Sequence, residues 1–277
     1  MRIAEWIQIA FFSILVVAAW RCPLAPRRRL RVTAFATLAI AAILAARFMF
    51  YFVPLRFSSV ARDWLPAALL LVPYWQIGEF FTGPNQSVQA RLATFDLSFL
   101  RAVHIQPAKA SIGPLLAVYL ELAYLLVYPL IPMGLATLYI AGMRHNSDYY
   151  WVVVLLSTYA CFAVTPFVPA LPPRVLTGYD RFEIPPNSVR ALNRWVLRRA
   201  SIQAITFPSA HVAASTAAAL VLLRLESRVG LIFLWVALSI AVATVVGGYH
   251  YAADVLSALL VAILTFVGTF WLWVGAR

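Results

Sequence analysis

Apolar residues run along this chain in long blocks rather than in alternation, and short polar stretches between the blocks hold nearly all of its arginine. Eight blocks, near residues 3–20, 32–53, 63–81, 112–141, 149–168, 208–223, 229–247 and 250–273, predict eight helices. Most reach the ~17–25 residues that a helix needs to cross a ~30 Å hydrocarbon layer. The expected fold is an all-α, polytopic membrane helix bundle of about eight transmembrane helices. Residues 1–62 would supply two accessory transmembrane helices and a basic loop, and residues 63–277 a six-helix catalytic core. The first block, Ile3 to Trp20, has neither a basic cluster before it nor a small-residue cleavage site after it, and reads as a retained span.

Composition removes the soluble alternative, because 63% hydrophobic and 12% charged residues leave too little polar surface to cover a water-soluble fold. The net charge of +12 would suggest nucleic acid in a soluble chain. Here the arginines lie at block ends, where they meet anionic head groups, so membrane lipids are the expected partners and nucleic acid is not. The expected location is integral and multi-pass, in a bacterial inner membrane or its equivalent. Three loops on one side, 21–31, 82–110 and 169–205, hold 14 basic residues against seven opposite. Six of the 14 sit in one loop where a substrate would also account for them, so the side stays open. Cys22 and Cys161 are distant from any second thiol, which argues against a disulfide framework or a thiolate metal site.

That loop, 169–205, is unusually long and carries Arg174, Arg181, Arg190, Arg194, Arg198 and Arg199. Arg190, Arg194 and Arg198 recur every four residues, which predicts an interfacial helix with one arginine stripe opposite Val189, Leu192 and Val196. Inside the fourth block stands Glu121, a carboxylate costly in a membrane unless paired or wet. It is placed either to contact an acceptor hydroxyl or to pair structurally with a cation such as Arg47.

Three segments break the apolar background at block ends: Pro172-Pro173-Arg174, Phe207-Pro208-Ser209-Ala210-His211, and Gly247-Gly248-Tyr249-His250-Tyr251-Ala252-Ala253-Asp254. Counting crossings puts all three on one membrane face. His250 and Asp254, four apart at the start of a helix, share a face, so the carboxylate can fix the imidazole tautomer and leave the other nitrogen toward a substrate. His211 follows a Pro-Ser helix start, where backbone N–H groups of Ser209 and Ala210 and the serine hydroxyl suit a phosphate oxygen. His211 is then placed to protonate a leaving oxygen, and Gly248 lets the backbone approach the same oxygens.

These residues resemble the type 2 phosphatidic acid phosphatase superfamily, whose pattern is Lys-x6-Arg-Pro, then Pro-Ser-Gly-His, then Ser-Arg-x5-His-x3-Asp. Pro208-Ser209-Ala210-His211 keeps all but the glycine of the second motif, and His250 with Asp254 keeps the spacing of the third. The resemblance implies His250 as nucleophile through a phosphohistidine, His211 as general acid and Asp254 as the orienting carboxylate, with no metal and no other cofactor. The first motif survives as Arg174 alone, with Phe167 at the lysine position and Val175 after the arginine. The Ser-Arg positions of the third are Ala243 and Thr244, so one phosphate-binding arginine is missing. The stripe from Arg190 to Arg198 or Arg199 is the reservoir to replace it, with Arg194 and Arg198 as the candidate phosphate-binding residues. The looser pattern is closer to the branch of the inositol phosphorylceramide synthases, which implies a lipid phosphoester substrate and transfer to a lipid or polyol hydroxyl instead of water.

Three readings follow. The first is a lipid phosphatase or phosphotransferase acting through His250. The second is a non-catalytic anionic-lipid scaffold or transporter. The third is a metal-dependent membrane hydrolase, in which two histidines and a carboxylate hold the ion.

Overall fold

A computed structural model of the chain describes residues 1–104, 111–176 and 182–275; Arg181, one of the loop arginines, lies outside them. The described residues form helices joined by turns, with no strand among them beyond one isolated bridge between Ser111 and Glu183.

The helices are α1 (Ile3–Arg21), α2 (Pro26–Phe48), α3 (Leu55–Leu69), α4 (Leu71–Gly78), α5 (Gln86–Ala102), α6 (Pro114–Leu125), α7 (Val127–Ile140), α8 (Ser147–Val164), α9 (Ser188–Ala200), α10 (Ala210–Leu225), α11 (Ser227–Val246) and α12 (Ala252–Gly275). Their starts follow local chemistry. Pro26 and Pro114 open α2 and α6, where a missing N–H costs nothing. Asn85 and Asn187 cap α5 and α9 by accepting backbone N–H groups of the first turn.

Five helical stretches are long and apolar enough to cross a membrane, or six if the bent pair α6 and α7 counts as one span, as expected of an integral membrane protein. Two expected spans differ from this. The block at 63–81 divides into α3 and α4, because Pro73 cannot donate to Leu69 and its ring crowds that carbonyl. The same rule explains the 59° bend between α6 and α7: Pro129 stands four residues after Leu125, the last residue of α6. The block at 208–223 becomes α10, 16 residues and about 24 Å long, shorter than the ~30 Å layer.

Despite its length α10 sits at the centre. Ala213, Ala217, Ala218 and Ala219 are fully buried, and these small side chains let α8, α11 and α12 close around it. The outer helices carry large apolar residues outward, such as Ile14 on α1, Trp235 on α11 and Leu264 on α12, as a lipid-facing surface does. At the end of α8 that carries Asp148, ion pairs close the bundle. Buried Asp63 takes Arg2 at 2.6 Å and Arg144 at 2.7 Å, Glu5 takes Arg62 at 2.6 Å, and Asp148 accepts the first N–H groups of α1. The chemistry-bearing segments lie at the other end of α8, where Thr165 exchanges hydrogen bonds with Phe207.

Candidate active site

α12 begins two residues after His250, and the helical turn brings Asp254 under the ring: His250 Nδ1 and Asp254 Oδ2 are 3.0 Å apart, both side chains buried. The backbone N–H of Tyr251 donates to the same carboxylate oxygen at 3.1 Å. With two groups bonded to one of its oxygens the carboxylate is oriented, and it fixes which imidazole nitrogen faces inward and which faces the site. The turn leading into α12 requires Gly248, whose φ is +74°. Its carbonyl accepts the N–H of Arg174 at 2.9 Å, joining the first segment to the third.

The second segment enters from α10. Its half-buried His211 ring lies 5.9 Å from the His250 ring, centroid to centroid, so separate helices bring the two imidazoles to one place. The Nδ1 atom of His211 is shielded from solvent and has no hydrogen-bond partner among the described residues. Ser209 N donates to the Asp254 carbonyl at 3.0 Å, which ties the start of α10 to the start of α12.

The expected N–H cradle is already in use. Besides Ser209 N, Ala210 N reaches Thr206 Oγ1 at 3.3 Å and Val212 N reaches Ser209 Oγ at 3.5 Å. The last two bonds are long, and an anionic acceptor would exchange for them readily.

Aromatic rings carry the site onward. Tyr249 stacks on Tyr124 at 3.8 Å, Tyr124 lies 5.8 Å from His211, and Tyr128 meets the edge of His211 at 6.1 Å. The Arg174 guanidinium sits 5.7 Å from the Tyr249 ring and is close enough to act electrostatically on His211, Tyr74, Tyr124 and Tyr128. Of the expected cations, it is the one whose charge acts on His211.

Arg194 and Arg198 do not gather with the histidines; both are exposed on α9. The inward face of that helix is Arg190, Asn193 and Leu197, about one residue around from the expected apolar face, and Leu192 is turned outward. The physical reason is Glu121. Its buried carboxylate takes Arg190, Asn193 Nδ2 at 2.7 Å and Tyr249 Oη at 2.5 Å, and α9 rotates to satisfy it. The partner of Glu121 is therefore Arg190, not Arg47. Ala243 and Thr244, at the Ser-Arg positions, instead cap the end of α11: their carbonyls accept the N–H groups of Gly247, Tyr249 and His250.

α5 lies inside the stretch 82–110 that the apolar blocks leave as a loop. Its Asp96 caps α12 by accepting Ala252 N at 2.6 Å, and its Gln89 bonds both Leu171 N, at 2.8 Å, and the Tyr251 hydroxyl. The helix was legible in the Asn85 cap, but its buried face is Gln89, Leu92, Asp96 and Leu100, half of it polar, so hydropathy concealed the period.

An apolar cavity of about 400 Å³ ends at the site. Leu70, Trp75, Ile131 and Phe162 wall it, from the α3–α4 junction, α4, α7 and α8, and Ala210 and His211 also line it. Among the described residues no three His, Cys, Asp or Glu side chains gather as metal ligands do. Arrangement and chemistry together suit attack by an imidazole on a phosphorus whose lipid portion lies in hydrocarbon.

A family model of the PAP2 superfamily matches residues 99–268, more than half of the chain and including all three segments. No curated protein and no solved structure matches it.

Proposed function

The chain belongs to the PAP2 superfamily, and from that premise we propose that it is an integral-membrane enzyme that cleaves or transfers a lipid phosphoester through a phosphohistidine at His250. The observation that carries this reading is the buried His250–Asp254 pair, 3.0 Å apart, facing a second imidazole at the end of an apolar cavity.

In this mechanism Asp254 holds the proton on His250 Nδ1, so the lone pair is on Nε2. Nε2 bonds to phosphorus while the bond to the leaving alkoxide breaks, and His211 delivers a proton to that oxygen. Charge growing on the nonbridging oxygens is met by Arg174 and by first-turn N–H groups of α10. In the second half His211 takes a proton from water or an alcohol, whose oxygen attacks phosphorus and releases His250. The cavity favours the alcohol: a lipid hydroxyl can occupy the place that a leaving diradylglycerol has vacated, while an apolar wall admits little water. On this view the chain works as the inositol phosphorylceramide synthase branch does, passing a phospho-head group between lipid hydroxyls.

The test is to supply the purified protein with labelled phosphatidic acid, with an isoprenyl diphosphate, and with phosphatidylinositol plus ceramide, each with and without chelator. Label in a new lipid selects transfer, and free phosphate selects hydrolysis. Acid-labile label on the protein, absent in His250→Ala, is the expected intermediate, with a turnover loss of at least ~10³-fold in that variant. Head-group binding that persists without any turnover would establish the scaffold reading, and loss of activity in chelator the metal reading.

A further inference from the structure

A second cavity, open and about 570 Å³ in volume, lies between α2, α4 and the end of α9. Three guanidinium groups line it, from Arg28, Arg31 and Arg199, against one carboxylate, Glu79. Arg28 is anchored, donating to the carbonyls of Glu79 at 3.0 Å and Phe81 at 2.8 Å. Arg31 reaches Glu79 only at 3.4 Å and keeps 67% of its side chain exposed. Arg199 is exposed and rests 5.0 Å from the Trp195 ring. Trp75 and Phe35, 6.2 Å apart, supply an aromatic wall.

The wall is built rather than incidental. Ile202 packs so closely on Gly78 that a Cβ there would meet it at 2.6 Å, and Ile202 N donates to Tyr74 Oη at 3.1 Å. These contacts pin the end of α9 to α4 and hold Arg199 across from α2. Three cations around one carboxylate leave about two positive charges unmatched beside Trp75, and arginine with tryptophan is the combination that meets lipid head groups at membrane interfaces. Trp75, Ala200 and Ser201 line both this cavity and the apolar one, so an occupant with hydrocarbon chains has an apolar surface beside its charge.

We propose that this cavity binds the phosphodiester head group of an anionic phospholipid, which bridges α2 to α9 and is not the reacting lipid. The shared chemistry is a phosphate anion, and the apolar flank assigns it to a lipid rather than to free phosphate. The proposal is independent of the catalytic reading, since nothing in it requires His250.

The test places the full chain in phosphatidylcholine vesicles with a few mole per cent of photoactivatable phosphatidylglycerol and maps the crosslinked peptides. Crosslinks are expected around residues 28–35 and 199–203, displaced by unlabelled phosphatidylglycerol but by neither added phosphatidylcholine nor millimolar inorganic phosphate. Arg31→Gln with Arg199→Gln, both exposed and therefore tolerated by the fold, should reduce them at least tenfold. Arg21→Gln with Arg27→Gln removes the same charge from exposed positions outside the cavity and should leave them within about twofold. Equal loss in both double variants, no loss in the first, or displacement by inorganic phosphate or by phosphatidylcholine overturns the proposal. His250→Ala should crosslink as the wild type does, so a failed catalytic assay and a failed lipid site are separately visible.

Discussion

The carboxylate of Glu121 is the point where helix α9 is tied to the segment preceding His250, and cutting that tie gives a measurable free energy. Glu121 keeps 3% of its side chain exposed and Arg190 14%, so both charges have left most of their water. Glu121→Leu leaves Arg190 buried without its partner and strips acceptors from Asn193 and Tyr249. Breaking one side of such a pair costs about 3–5 kcal/mol, whereas replacing both sides with apolar residues of similar size is close to neutral. Because ~1.4 kcal/mol is a factor of ten, the single change should lower the exchange protection of the α9 amides by roughly two to three and a half orders of magnitude, or to the unprotected limit. Glu121→Leu with Arg190→Met should recover most of it. Hydrogen exchange read by mass spectrometry on the peptide covering 188–200, in one detergent and at one pH, measures all three states. Protection within threefold of wild type in the single variant, or a double variant no better than the single, would refute the argument that this ion pair anchors the helix.

Other perturbations separate stability from chemistry. Asp254→Asn keeps the shape of the pair but can hold the wrong tautomer of His250, and turnover should fall by at least ~10²-fold with little change in thermal midpoint. Gly248→Ala puts a side chain at φ +74°, with its Cβ 3.4 Å from Arg174 N; a cost of about 1–2 kcal/mol and a loss of turnover larger than the loss of lipid binding are expected. Asp63→Asn disturbs the ion pairs with Arg2 and Arg144 at the remote end of the bundle. It should lower thermal stability clearly while turnover per folded molecule, measured with an active-site label, stays within twofold.

The all-helical order and the outward apolar surface were written in the blocks of apolar residues, because in lipid each backbone donor must be satisfied within its own segment. The His250–Asp254 pair was equally legible, since four residues in a helix are neighbours whatever surrounds them. Even the break after Leu69 and the bend after Leu125 could have been read from Pro73 and Pro129, which act on the carbonyl four residues back.

Other features depended on what lay across the bundle. The rotation of α9 answers to Glu121, some 70 residues away in sequence, so a stripe of arginines judged by its own period points the wrong residues inward. Gln89 and Asp96 make a buried face that hydropathy reads as solvent-facing, because polar residues that bond distant segments look like surface until their partners are known. The meeting of His211 with His250, and the cavity that leads to it, arise from the packing of α10 among its neighbours. Local spacing determines what a single helix presents; which faces meet is decided by the charges and volumes that other helices bring to it.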